Sequence, residues 1–261
     1  MLISGLEKCS FVDYPGKLAA VVFLKGCNMN CGYCHNQELL QKDAALPEIN
    51  EDQFFSFLNR RKNLLDAVVV TGGEPTLNDR LPEFIRRIKK SGFFVKLDTN
   101  GTNPGMVRGL IDEGLLDYVA MDVKTELSQY NKLCRVLVDT GSIVKTINLL
   151  LGSVIDYEFR TTVYPGLSES NLYNLAELLS GARKWVLQHY NPEGNSFVEL
   201  MDPDESPEKP DLQKLVSVFS SYTGECSVRG KEIPLELKNW GLSSDLEAGM
   251  SSALDIPQLL S

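Results

Sequence analysis

The chain has 261 residues, 43% hydrophobic and 23% charged, so it can bury a sizeable core and has the composition of a globular protein. Its net charge of -9, from 35 acidic against 26 basic residues, argues against a nucleic-acid groove, which needs Lys and Arg to neutralise phosphates. No apolar run approaches the roughly 18 residues that span a bilayer. The first 17 residues also lack a basic segment followed by an apolar one, so the expectation is a cytoplasmic protein that binds neither membrane nor nucleic acid.

Asp13-Tyr14-Pro15-Gly16 carries turn signals and is expected to join two short N-terminal strands. Leu18 to Leu24 is a continuous apolar run, expected as a strand buried on both faces. Cys27, Cys31 and Cys34 follow directly, spaced C-x3-C-x2-C. Residues 51–63 read as a helix, with Asn50 as N-cap and Phe54, Phe55 and Leu58 on one face. Further strands are expected over 67–70, 93–97, 118–121, 157–163 and 185–188. The intervening helices fall over 81–91, 106–112, stretches of 127–151, and 170–179 with Ser170 or Asn171 as cap. Apolar strands alternating with amphipathic helices predict a parallel sheet. Length and order favour an α/β fold of the partial (β/α)6 barrel type over a doubly wound sheet. After residue 202 come a charged, proline-rich surface loop, a helix over 212–219 and a short closing strand over 225–229. The division expected is a core of residues 1–230 and a short C-terminal extension, 231–261, either docked or disordered.

In a parallel barrel the loops at the carboxyl ends of the strands face one mouth. The first strand delivers the three cysteines there, and the second delivers Thr71-Gly72-Gly73-Glu74-Pro75. The third ends in Asp98-Thr99-Asn100-Gly101, the fourth in Asp122-Val123-Lys124; the fifth carries Arg160, and the sixth ends near His189. Three thiolates so spaced can each bind one iron of a four-iron cluster and leave the fourth iron open. The spacing alone leaves two other candidates. Zinc could take His35 as a fourth ligand. Cys31-Gly32-Tyr33-Cys34-His35 also fits the C-x-x-C-H of c-type haem. Zinc leaves the rim residues unexplained, and haem leaves Cys27 without a role. The other cysteines, Cys9, Cys134 and Cys226, are expected as buried apolar residues rather than disulfide partners.

The cysteine loop after a first barrel strand resembles that of the radical S-adenosylmethionine (SAM) enzymes. The fuller string GCNMNCGYCHN, preceded by SFVDYPGK, is similar to the glycyl-radical-enzyme activases. Among these it looks most like the anaerobic ribonucleoside-triphosphate reductase activating proteins, and the likeness runs over residues 4–230. The resemblance implies that Cys27, Cys31 and Cys34 hold a [4Fe-4S] cluster whose open iron is chelated by SAM. It implies that Tyr33 lies against the adenine, and that Gly72, Gly73 and Glu74 receive the methionyl amino group. Asp98, Thr99 and Asn100 would lie near the ribose and a monovalent cation. Lys124, beside Asp122, would face the SAM carboxylate, with Arg160 and His189 as further SAM contacts. Asp13 would meet the partner's glycyl loop.

The activity implied is reductive cleavage of SAM and generation of a glycyl radical on a partner enzyme, with a flavodoxin- or ferredoxin-type electron donor. No further cysteine lies between Cys34 and Gly72, which marks a one-cluster member. The rival within the same chemistry is a small-molecule enzyme such as a 7-carboxy-7-deazaguanine synthase, against which His35-Asn36 and SFVDYPGK weigh. A non-catalytic zinc or haem module is the rival of a different class.

Overall fold

The computed structural model describes residues 3–40, 48–191 and 210–230. One sheet of eight strands runs through it in sequence order. β1 (Ile3–Ser10) pairs antiparallel with β2 (Ala19–Leu24). From β2 onward every pairing is parallel, through β3 (Ala67–Gly72), β4 (Phe94–Thr99), β5 (Tyr118–Asp122), β6 (Asp156–Val163), β7 (Trp185–His189) and β8 (Cys226–Arg229). The Asp13–Gly16 turn therefore joins β1 to the first parallel strand. The expected six β/α units are β2 to β7, and β8 adds a parallel strand at the far edge. The tail expected from residue 231 lies outside the described residues, as do residues 202–209 of the charged loop.

Helices cover the outer face: α1 (Glu51–Arg60), α2 (Leu81–Lys90), α3 (Pro104–Asp112), α4 (Tyr130–Cys134), α5 (Thr140–Leu151), α6 (Glu169–Leu178) and α7 (Leu212–Phe219). Their starts follow from local chemistry. Asn50 caps α1 by accepting from Asp52 N while the Gln53 side chain accepts from Asn50 N, a reciprocal capping box. Asn103 caps α3 and Asp139 caps α5 in the simpler way. α6 is capped by Ser168 rather than Ser170 or Asn171, because the Asn171 side chain is engaged at the third helical position as the other half of a box. Among the described residues no helix is long and apolar enough to cross a membrane.

The alternation of side chains along each strand separates two interiors. Outward residues such as Val22, Val68, Val70, Val95, Leu97, Val119 and Phe159 pack with Phe54, Phe84, Ile88, Ile147 and Leu172 of the helices. Inward residues Ala19 and Val21, Ala67 and Val69, and Tyr118 and Ala120 meet across the curled sheet together with Tyr14. Contacts that join β2 and β3 to β5 over β4 require a barrel-like curl. This apolar plug fills the amino ends of the strands; toward their carboxyl ends the inward positions turn polar. The Tyr14 and Tyr118 rings lie 5.7 Å apart.

The turn that carries Tyr14 closes the floor of the barrel, since Ser10 pairs with Ala19 at the start of β2. Tyr14 is 4% exposed, whereas its neighbours Phe11 and Val12 are 81% and 75% exposed. Tyr14→Ala is thus expected to cost about 3 kcal/mol by emptying the plug. Phe11→Ser and Val12→Ser should stay within about 0.5 kcal/mol of the parent in urea unfolding.

Candidate active site

The carboxyl ends of the strands enclose a cavity of about 210 Å³. Its wall includes Cys27, Met29, Cys31, Tyr33 and Cys34 from the loop after β2, and Thr71, Gly72 and Gly73 from β3 and its loop. Asp98, Thr99, Asn100, Asp122, Lys124, Arg160 and Thr162 complete the other side.

The cysteine loop is held by backbone approach. An added Cβ on Gly73 would sit 2.0 Å from Gly26 O, and one on Gly72, at φ +124°, would sit 2.3 Å from Leu24 O. Only glycine allows that closeness. It lets Gly73 N donate to Leu24 O and Glu74 N to Gly26 O, each at 2.8 Å. The Asn36 side chain donates to Gly72 O, and Asn28 is tied to Asn100 and Thr102. On the other flank Asn30 N donates to Cys134 O and Gly32 N to Leu133 O, so the short helix α4 braces the loop.

Glu74 is 2% exposed and absent from the cavity wall. Its carboxylate accepts from Thr76 N, Thr76 Oγ1, Thr99 Oγ1 and Asn100 N, which tie the loop after β3 to the loop after β4. Burial raises its pKa, and these donors work in the opposite direction. The glycines line the cavity as expected, while Glu74 acts behind them.

A ladder of alternating charge lies across β4, β5 and β6. Lys96 Nζ reaches Asp98 at 2.5 Å, and Arg160 joins Asp98 at 3.0 Å and Asp122 at 2.7 Å. Lys124 Nζ closes it, 3.5 Å from Asp122. The ladder holds three cations against two carboxylates, but Lys96 is buried behind the cavity, so the two cations and two carboxylates that line it balance. Burial alone would raise both carboxyls; the Arg160 guanidinium between them, with Lys96 and Lys124, holds both below the usual aspartate value. Lys96 was not foreseen, although a lysine two residues before Asp98 on the same inward face was the available signal. Asp98 already faces two cations, so it offers no uncompensated carboxylate for a monovalent cation.

Tyr33 stacks on Tyr164 with ring centroids 5.2 Å apart, and Lys124 Nζ lies 5.9 Å from the Tyr33 centroid. His189 ends β7 outside the cavity wall. Asp13 sits in the floor turn, accepting from Ser10 Oγ, at the end of the barrel opposite the cysteines. A partner segment at the mouth would not meet it. Cys134 and Cys226 are buried as expected, but Cys9 is exposed.

The donor set fits a cluster that takes one thiolate per iron. Among the described residues no three His, Cys, Asp or Glu side chains converge where a single ion could sit. His35 Nε2 is paired with Asn191 O at 2.8 Å, and the His35 ring does not converge with the three thiols on a common point. Burial pushes the Cys27 thiol up to about 11 and raises Cys34, whereas hydrogen bonding with Cys134 lowers Cys31.

Comparison with known proteins gives a consistent family. The model of the Radical SAM superfamily matches residues 21–179. A Methanocaldococcus jannaschii protein assigned as a glycyl-radical enzyme activating enzyme is 34% identical over 87% of this chain and 95% of its own length. The pyruvate formate-lyase 1-activating enzyme of Escherichia coli K12 is 25% identical over 84% of this chain and 95% of its own. Streptococcus suis SuiB bound to its precursor peptide shares the fold at a TM-score of 0.61 and 14% identity, over 80% of this chain and 48% of that one.

Two substitutions probe the site. Gly73→Ala forces the loop after β3 off Gly26, so iron uptake by the anaerobically purified protein should fall severalfold; uptake at the parent level would contradict the close contact. Arg160→Met leaves two buried carboxylates short of a cation and should cost about 3 kcal/mol at neutral pH. In the parent both carboxyls titrate below the ordinary value of about 3.9, so their stabilisation is full above that pH and lost as pH falls through the depressed values. The gap between parent and variant in urea unfolding should therefore hold from pH 7 down to about 4 and narrow as the pH falls below that.

Proposed function

The chain belongs to the radical SAM superfamily and, within it, to the glycyl-radical-enzyme activating enzymes; we propose that its partner is an anaerobic ribonucleoside-triphosphate reductase. The observation that carries the choice of partner is the string from Ser10 to Lys17 followed by Gly26 to Asn36, which resembles the activases of that reductase. The superfamily's cofactors are a [4Fe-4S] cluster and SAM. When bound, they supply one-electron cleavage chemistry that removes a hydrogen atom from a glycine α-carbon of the partner.

This chain's own work is binding and placement. Cys27, Cys31 and Cys34 would each hold one iron, on a loop braced by Gly73 and α4. Gly72 and Gly73 present backbone to the cavity, suited to the methionyl ammonium. Lys124 and Arg160, the two cations of the ladder that line the cavity, would take the carboxylate. Asn100 and Thr99 lie on the wall beside them, within reach of a ribose. Tyr33, stacked on Tyr164, offers an apolar face to the adenine. No acid–base pair is required, which agrees with the ladder's design: its carboxylates are held ionised by fixed cations and do not exchange protons near neutral pH. A flavodoxin- or ferredoxin-type protein is the proposed electron donor.

The test mixes the anaerobically reconstituted protein, SAM and a reductant with either an anaerobic ribonucleotide reductase or a pyruvate formate-lyase. A glycyl doublet in the EPR spectrum of the reductase is the expected result. SAM cleavage with a doublet only on the lyase would overturn the choice of partner.

A further inference from the structure

The short helix α4 does more than brace the cysteine loop. Cys134, at its last position, is 0% exposed. Its Sγ lies 3.6 Å from Cys31 Sγ and 3.7 Å from Met29 Sδ. Two backbone bonds, Asn30 N to Cys134 O at 3.0 Å and Gly32 N to Leu133 O at 3.2 Å, flank Cys31 on either side. They fix the cysteine loop and the end of α4 in register, with the two sulfurs adjacent. Tyr130 anchors the start of the same helix by accepting from Lys124 N at 3.0 Å. The C-cap residue, Arg135, adopts φ 54°, a left-handed conformation uncommon outside glycine that ends the helix directly after Cys134.

In the proposed assignment Cys31 binds iron as a thiolate and carries no proton. The one proton available to the contact is then on Cys134. It has two acceptors, the neutral thioether of Met29 and the anionic thiolate of Cys31. A charge-assisted bond is roughly twice as strong as a neutral one, so the thiolate takes it. Hydrogen bonds to the ligand sulfurs are among the terms that set the potential of an iron–sulfur cluster. Reduction adds negative charge, which such a donor stabilises more in the reduced state than in the oxidised one.

We propose that Cys134 is a positioning residue for the reaction: its thiol donates to the Cys31 ligand sulfur and raises the reduction potential of the cluster. The inference rests on the reading of Cys27, Cys31 and Cys34 as cluster ligands. It explains why a cysteine, and not a larger aliphatic residue, fills a buried position against the loop.

The experiment compares the full-length parent with Cys134→Val and Cys134→Ser after anaerobic reconstitution, following the cluster EPR signal in a redox titration. Valine fills the space without a donor, and serine restores one. The valine variant should show a more negative midpoint, by up to about tenfold in the reduction equilibrium, or about 59 mV for one electron. The serine variant should return toward the parent. Equal midpoints in all three would overturn this inference and leave the cluster assignment standing. Failure of the parent to take up iron would overturn both. If the valine variant does not assemble a cluster, the parent decides the matter: after unfolding, refolding and reconstitution in deuterium oxide, ENDOR of the reduced cluster should show a strongly coupled deuteron. Its absence counts against the donor.

Discussion

The rest of the site depends on one close contact, the seating of Gly73 against the carbonyl of Gly26. It makes two loops from neighbouring strands share hydrogen bonds where side chains would ordinarily hold them apart. The cysteine loop has no regular structure of its own over Cys27 to Gly32, so its shape is imposed from outside. Gly73 and Asn36 hold one flank, and the carbonyls of Leu133 and Cys134 hold the other. Glu74 extends the same logic by locking the loop after β3 to Thr99 and Asn100. The thiols are thus placed by the backbones around them more than by their own spacing.

The second organising feature is the charge ladder. A buried carboxylate or ammonium is costly alone, and the sequence places four such groups on three adjacent strands and a fifth, Lys124, just past the end of β5. They are tolerable because each carboxylate touches two cations, with Arg160 common to both. A preorganised wall of this kind does not rearrange when a charged ligand arrives, which is what a site built on binding and placement requires. A second network of the same type lies below it, where Glu158, 0% exposed, accepts from both Arg229 nitrogens and from Tyr118. That network ties β8 to the barrel interior.

Much of this was legible in the chain. The apolar strand runs and their alternation with helical patterns gave the order of the barrel, because burial on both faces leaves few other readings of LAAVVFL or AVVV. The carboxyl-end rule brought Cys27, Gly72, Asp98, Asp122 and Arg160 to one cavity for the same reason. What sequence reasoning missed was which polar groups face the cavity and which stand behind it. Glu74 was expected as a ligand contact from the resemblance of its motif; its burial against Thr76 and Asn100 depends on tertiary placement. Asp13 was expected to meet the partner's glycyl loop from the family resemblance of its turn, but the antiparallel turn from β1 to β2 carries it to the end of the barrel opposite the cysteines. Cys134, more than a hundred residues from Cys31, had no local signal at all.

The central claim is that the loop after β2 holds a redox-active cluster that SAM meets directly. The most direct measurement is the EPR spectrum of the anaerobically reconstituted, one-electron-reduced protein before and after SAM is added. The account predicts a [4Fe-4S] signal that changes in shape on adding SAM and is absent from Cys31→Ala. A protein that binds one zinc per chain, or a cluster signal indifferent to SAM, would contradict it.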